Sequence, residues 1–243
     1  MGKLLDLVLP PRCASCGRDG WPLCPACTAE VAVITPPLCR RCGRPVEEPL
    51  SACADCPPRS IDAARAPFLY EGPVARAIRG MKFSGWHALR RHLAGAMAEV
   101  FDLEADVVTW VPLSRRRRGR RGFDQSEVLA RGVAPLLGLP AIRLLRRTRD
   151  TPAQARRSGR DRRSSLRGAF VAAGPSPPRV LLVDDVLTTG ATASACAAVL
   201  RRAGARRVMV LVGARSIGGP VPARCRPGDR AGGHGLDGGP VGG

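Results

Sequence analysis

From about residue 68 onward the chain alternates two hydrophobic periods. Residues 74–81 and 88–101 carry apolar positions three or four apart, among them Leu89, Leu93, Ala96 and Val100, which predicts two helices with one buried face each. Residues 106–111 are β-branched and apolar, the pattern of a strand, and 126–137 returns to helical spacing. Residues 142–145 and 169–172 are short strand candidates. The run at 180–183 is apolar at every position, as expected for a parallel strand covered on both faces. A helix over 192–203, ended by Gly204, then leads to a second apolar run at 208–212. Strand, helix, strand within about thirty residues is a βαβ unit, so the fold class is α/β, a parallel sheet flanked by helices.

The two ends of the chain read differently. Residues 1–60 show no such periodicity and hold eight of the ten cysteines, which predicts a small separate domain. Pro57 and Pro58 look like its linker to a second domain over 61–215. Residues 216–243 carry ten Gly and four Pro in twenty-eight positions, too little apolar surface to offset the entropy of ordering, and predict a disordered tail.

Composition narrows the function classes. Aromatic residues make up 4% of the chain, which argues against a nucleic-acid reader built on a broad stacking platform. No run of 18 apolar residues occurs, so no membrane span is expected. The opening MGKLLDLVLPP has an apolar stretch broken by Asp6, too short for a secretory signal, and a cytoplasmic location is expected.

The formal net charge of +19 points to anionic partners. It is concentrated: residues 112–170 hold seventeen arginines against four acids, whereas 1–60 nearly balance. Lys3 and Lys82 are the only lysines, a bias that GC-rich coding produces as readily as selection for arginine chemistry does.

The cysteines fall into four Cys-x-x-Cys pairs, Cys13/Cys16, Cys24/Cys27, Cys39/Cys42 and Cys53/Cys56. In a cytoplasmic chain this spacing speaks for metal before disulfides. Gly17 and Gly43 follow the leading pair of each half, where a positive φ lets backbone N–H groups turn toward the thiolates. The simplest reading is two structural four-thiolate zinc sites in series; an interleaved pairing is the alternative. Such modules are too small to hold a core, so metal would supply most of their folding energy. A redox Cys-x-x-Cys would need a βαβ context that residues 1–60 lack.

The stretch RVLLVDDVLTTGAT, residues 179–192, carries the most chemistry. A buried strand ends in Asp184 and Asp185, and Thr188, Thr189, Gly190, Ala191 and Thr192 run into a helix N-terminus. Hydroxyls, backbone N–H groups and a helix dipole together cradle a phosphate. Without a Lys or the Gly-x-x-x-x-Gly-Lys spacing it is no P-loop. Carboxylates beside a phosphate would accept hydrogen bonds from sugar hydroxyls or hold a bridging divalent ion.

VLLVDDVLTTGAT resembles the phosphoribosyl pyrophosphate (PRPP) motif of type I phosphoribosyltransferases. That resemblance implies that Asp184 and Asp185 engage the ribose hydroxyls and that Thr188 to Thr192 bind the 5′-phosphate. Together with YEGPVARAIRGMKFSG (70–85), WVPLSRRRRGRRGFDQSEVLA (110–130), LLRRTRDTPAQARRSGRDRRSSLRGAF (144–170) and the cysteine pairs, the chain resembles the ComF family of competence-associated proteins over residues 10–215. Two positions depart from the family pattern, Asp124 and the neighbourhood of Ser165, where Asn is usual. The loop VPLSRRRRGRRG corresponds by position to the pyrophosphate loop. Its Arg115, Arg116, Arg117, Arg118, Arg120 and Arg121 are candidate pyrophosphate or nucleic-acid contacts, with Arg121 the preferred ligand contact.

Three functions follow from the resemblance. The first is a phosphoribosyltransferase, which would use Mg²⁺ with PRPP and transfer the phosphoribosyl group to an acceptor. The second is a non-catalytic module that handles single-stranded DNA during natural transformation, alongside other competence proteins. The third is a PRPP-sensing regulator. His87, His92 and His234 have no ligand spacing with the cysteines, and Cys196 reads as a packed residue.

Overall fold

The computed structural model describes residues 12–81, 87–114, 118–119, 122–148, 166, 168–219 and 221–226. A short helix α1 (Pro25–Ala29) lies in the cysteine-rich region, followed by strands β1 (Ala63–Arg65) and β2 (Phe68–Leu69). Helices α2 (Gly72–Gly80) and α3 (His87–Glu99), strand β3 (Val107–Trp110) and helix α4 (Gln125–Leu136) come next. Strands β4 (Leu145–Arg147), β5 (Phe170–Ala172) and β6 (Arg179–Leu187), helix α5 (Ala191–Arg202) and strand β7 (Arg207–Arg215) complete the body.

The main sheet is parallel, in the order β1-β7-β6-β3, with β2 also paired to β7. Its two central strands show why 180–183 and 208–212 are uninterrupted apolar runs. Val180 and Leu182 of β6, with Val208 and Val210 of β7, enter one core, shared with α5 residues Cys196, Ala197 and Leu200. Leu181 and Val183, with Met209 and Leu211, enter the opposite core, against Ile78 of α2, Met97 of α3 and Leu129 of α4. Side chains alternate along each strand while helices cover both faces, so every position is apolar. Fully burying one such side chain stabilises the fold by about 1.5–3 kcal/mol.

β6 runs longer than the apolar run that predicts it. Beyond Val183 the β3 strand has ended, but β7 keeps pairing through Val186↔Ala214 and Leu187↔Arg215. Asp184 and Asp185 therefore lie within the strand rather than after it. β4 occupies 145–147 rather than 142–145 and pairs antiparallel with β5. β1 and β2 give no periodic signal in sequence, being three and two residues long.

The cysteine-rich region is built into the sheet edge. Ile34 N–H donates to the Pro67 carbonyl (2.8 Å) and Leu69 N–H to the Ala32 carbonyl (3.0 Å). Ala32 and Ile34 are buried in the same core as α5. Residues following Arg215 correct the expectation of a disordered tail from 216. Cys225 is 1% exposed, and Arg224 donates to the carbonyls of Pro36 (3.0 Å) and Pro37 (3.1 Å). Residues 227–243 lie outside the described residues.

Gly43 shows how tightly the region is docked. Its φ is +65°, and a Cβ there would lie 2.6 Å from the Ala64 carbonyl oxygen of β1. Gly17, at φ +76°, faces open space. Both positions strain an L-residue by about 1–2 kcal/mol, but only Gly43 adds a backbone clash. Gly43→Ala is expected to lower the melting temperature clearly more than Gly17→Ala, each kcal/mol costing roughly 2–4 °C in a chain of this size. Paired thermal unfolding curves check this.

Candidate functional site

Two quartets of thiols gather in the order of the sequence, Cys13, Cys16, Cys24 and Cys27 in one and Cys39, Cys42, Cys53 and Cys56 in the other, all sulfurs of each within 4.8 Å. The sequential pairing is thus the one the fold adopts. Sγ–Sγ distances of 3.6 Å (Cys16–Cys24), 3.6 Å (Cys39–Cys56) and 3.4 Å (Cys42–Cys53) are far beyond a disulfide bond. They are close to the ~3.8 Å edge of a tetrahedron whose metal–sulfur bonds are about 2.3 Å. The surroundings split the ionisation of the thiols within each quartet. Burial raises the Cys13 thiol, but N–H donors from Cys24, Cys16 and Ser15 outweigh it and bring it down to about 6. Cys39 falls to about 7 in the same way, against burial, through the backbone of Cys42 and the thiol of Cys56. Burial pushes Cys27 and Cys42 up to about 12. Four crowded thiols cannot all ionise without a central positive charge, and these two sites fit structural zinc.

The two modules meet different parts of the body. Around the first, Arg76 of α2 donates to Ser15 Oγ (2.8 Å), and the Trp21 ring stands edge-on to His92 of α3. The second lies against β1 and β7. Ala64 N–H donates to the Arg41 carbonyl (2.8 Å), and Arg65 Nη1 to the Arg40 carbonyl (2.9 Å). Arg215, the last residue of β7 and 4% exposed, donates to the Cys42 carbonyl.

At the C-terminal end of β6, Asp184 Oδ1 accepts from Ser126 Oγ (2.7 Å) and from the Asp185 backbone N–H (2.9 Å). Burial, then repulsion from Asp185, pushes the Asp184 carboxyl up to about 7 against the pull of these donors. Ser126 stands in the first turn of α4, whose cap is Asp124. Asp124 Oδ1 accepts from Ser126 N–H (3.2 Å), and its Oδ2 accepts from Leu113 N–H (2.7 Å), tying the loop after β3 to the helix. Burial raises the Asp124 pKa, opposed by the N–H donors of Leu113, Glu127 and Ser126. An Asn at 124 could still accept from Ser126 N–H through its one carbonyl oxygen, but its NH2 would face the Leu113 N–H, so the departure from the family pattern adds both a charge and the acceptor that ties this loop to the helix. Ser165 lies outside the described residues.

The Thr-Thr-Gly loop follows directly. Gly190, at φ +71°, caps α5, whose Ser194 N–H returns to the Gly190 carbonyl (2.8 Å). Thr189 Oγ1 accepts from Ala191 N–H (3.4 Å). Thr188 and Thr189 are exposed, Gly190 and Ala191 buried, and Thr192 half-buried in the first helical turn. A cavity of about 300 Å³ opens here between Thr188, Thr189, Gly190 and Ala191 on one side and Arg44, Asp55, Cys56 and Pro57 of the cysteine region on the other, with Arg215 and Ser216 beside them. Thr192, Asp184 and Asp185 do not line this cavity; the two acids lie upstream on β6, where Asp184 is bonded to Ser126.

Of the arginine candidates, Arg118 is exposed and lies 3.8 Å from Glu127. Arg115, Arg116, Arg117, Arg120 and Arg121 lie outside the described residues. Cys196 is buried, and its thiol is raised well above the usual range by burial and by Asp184. Sequence reasoning missed Ser126, Arg44 and Arg215. Asp124 and Glu127 stand at cap spacing and place Ser126 in a first helical turn, but only the fold carries it to Asp184.

Among the described residues no helix is long and apolar enough to cross a membrane. A family model described as a double zinc ribbon domain matches residues 4–57. The chain is similar to competence protein F of Haemophilus influenzae, 36% identical over 105 residues that cover 41% of this chain and 46% of that protein. Matches to DNA utilization protein YhgH of Escherichia coli O157:H7, at 35% identity, span 58% of this chain and 66% of that protein's length. Among solved structures it is similar to glutamine PRPP amidotransferase from B. subtilis, 30% identical, with a TM-score of 0.37 over 51% of this chain and 26% of that one. DNA utilization protein YhgH of Salmonella typhimurium is 30% identical over 215 residues, 82% of this chain and 86% of that protein. An alignment of that extent, with the zinc-ribbon match at its N-terminal end, makes this chain a member of the ComF family of competence and DNA-utilization proteins.

Proposed function

We propose that the chain binds PRPP at the C-terminal end of β6 and acts as a phosphoribosyltransferase-like protein in the handling of incoming DNA. One observation carries this reading: paired carboxylates, one fixed by Ser126, lie a few residues from a Thr-Thr-Gly loop that caps a twelve-residue helix. Carboxylate acceptors suit vicinal ribose hydroxyls, and the capped loop suits the 5′-phosphate. Mg²⁺ brought with PRPP would supply positive charge that favours departure of the pyrophosphate, and Asp184 and Asp185 are the carboxylates that would meet it or the ribose hydroxyls. The chain's own part is to orient the sugar through Asp184 and Asp185 and to hold the phosphate.

The direct test is calorimetric binding of Mg·PRPP to the wild type and to Asp185→Asn. Binding by the wild type that is lost in the variant is expected, and a wild type that does not bind contradicts the reading. Pyrophosphate release on addition of acceptors then separates an enzyme from a sensor.

Asp184 adds a pH dependence of definite sign. The ionised form frees Oδ2 as a further acceptor for a ribose hydroxyl while Oδ1 keeps Ser126 Oγ and the Asp185 N–H, and in the free protein that form is reached at about 7. PRPP affinity is expected to rise about tenfold from pH 6 to pH 8, one unit either side of that value. Asp184→Asn should remove this dependence along with most of the affinity. The same raised pKa works against stability. The contribution of the protonated carboxyl is complete below its ordinary value of 3.8 and is lost as pH rises through about 7. At pH 8 Asp184→Asn should therefore melt several degrees above the wild type, with the gap narrowing by pH 5 and closing near pH 4. Thermal unfolding at the two pH values measures it.

A second reading, contact with single-stranded DNA, is favoured by the seventeen arginines in residues 112–170 and by relatives named for DNA utilization and competence. Phosphate contacts made by arginines 115–121 would give a binding constant that falls steeply with salt, by about 0.7 in log–log slope for each contact. Neutralising those arginines should flatten the slope of oligonucleotide binding.

A further inference from the structure

The cavity beside the phosphate loop has one wall that the loop does not supply. That wall belongs to the second cysteine module and the proline turn that follows it. A Cβ on Gly190 would lie 3.2 Å from Pro57 Cβ, so the turn sits directly on the loop. The turn is held at both ends: Arg41 Nη2 donates to the Pro57 carbonyl (2.8 Å), Ser60 Oγ bonds Ser194 Oγ of α5 (2.8 Å), and Arg201 Nε donates to the Ser60 carbonyl (3.0 Å).

Two arginines line the cavity from this side. Arg44 follows Cys42 by two residues, with a side chain 12% exposed, and is ion-paired with Asp55, which lies between Cys53 and Cys56. Arg215 is 4% exposed and is bound to the Cys42 carbonyl, yet its Nε has no hydrogen-bond partner. A buried guanidinium with an unmet donor, in the wall of a cavity that also reaches the N-terminus of α5, is costly unless an anion completes it.

We propose that the second cysteine module is a working wall of the phosphate site. Arg44 and Arg215 are the cations that meet a phosphate monoester held by Thr188, Thr189, Gly190 and Ala191, and metal loading of this module is coupled to binding of that ester. The proposal rests on the sugar-phosphate reading of the loop and assigns its phosphate recognition to residues outside the motif. Asp55 is the competitor: its carboxylate holds Arg44 until the ester arrives. A four-thiolate zinc site carries a net charge of about −2 that the neighbouring arginines offset, and it fixes the turn from Cys53 to Pro57 that forms the wall. Coupling is reciprocal, so an ester in the cavity must in turn retain this metal.

Ribose 5-phosphate tests the phosphate site without Mg²⁺ or pyrophosphate. It should be titrated calorimetrically into the full chain as wild type, Arg44→Ala and Asp55→Asn, with zinc content measured for each. Arg44→Ala is expected to weaken binding about tenfold or more, and Asp55→Asn to tighten it severalfold, both with two zinc ions still bound. Ribose 5-phosphate should also slow the release of one of the two zinc ions to a chelator. A merely structural role for the module would not produce tighter binding in Asp55→Asn. If the wild type binds and both variants bind equally well, with zinc release indifferent to the ester, the proposal is overturned and the sugar-phosphate reading stands. If the wild type binds neither ribose 5-phosphate nor Mg·PRPP, both fall together.

Discussion

The parallel pairing of β6 with β7 is the constraint on which the rest of the molecule depends. Its register runs from Arg179↔Arg207 to Leu187↔Arg215, and every functional placement is read from it. Because strand side chains alternate, a slip of one residue would exchange the two apolar cores and move Asp184 to the opposite face. In the observed register the last pair sets Arg215 beside Leu187, at the root of the Thr-Thr-Gly loop. The longer reach of β7 lets β6 continue past the end of β3, which leaves the Asp184 and Asp185 segment of β6 without β3 alongside it. A crevice at the carboxyl ends of parallel strands is the usual consequence of this arrangement.

Onto that edge the cysteine region is fastened rather than loosely tethered. The second module shares hydrogen bonds with β1 and β7 and presses its Gly43 against the β1 backbone. The first module meets α2 and α3 instead. The two repeats are alike in cysteine spacing, yet only the second shares a cavity with the loop at the end of β6. The repeated pattern thus serves two local purposes, and the difference lies in what each copy touches.

Much of this was legible in the chain. The apolar runs of β6 and β7 announce strands covered on both faces, and the Thr-Thr-Gly loop announces a helix that begins on an anion-friendly turn. The Cys-x-x-Cys pairs announce two metal sites, though their pairing needed the fold, since sequential and interleaved sets have the same spacing. What remained hidden depends on long-range contact. Arg215 ends a strand 173 residues from Cys42, and Ser126 reaches Asp184 across 58 residues. Pro57 and Pro58 have the composition of a linker, and nothing local says that they lie on Gly190. Residues 221–226 look like the rest of a glycine-rich tail, and nothing local says that Val221, Arg224 and Cys225 find partners in the body.

The central claim is that the second cysteine module, the sheet edge and the loop after β6 form one cooperative unit. Hydrogen–deuterium exchange of the full chain before and after zinc removal tests it most directly. The account predicts that stripping zinc releases protection in residues 39–56 and also in β1, in the end of β7 and in the start of α5 after Gly190. Loss confined to the cysteine region, with α5 and β7 as protected as before, would contradict it.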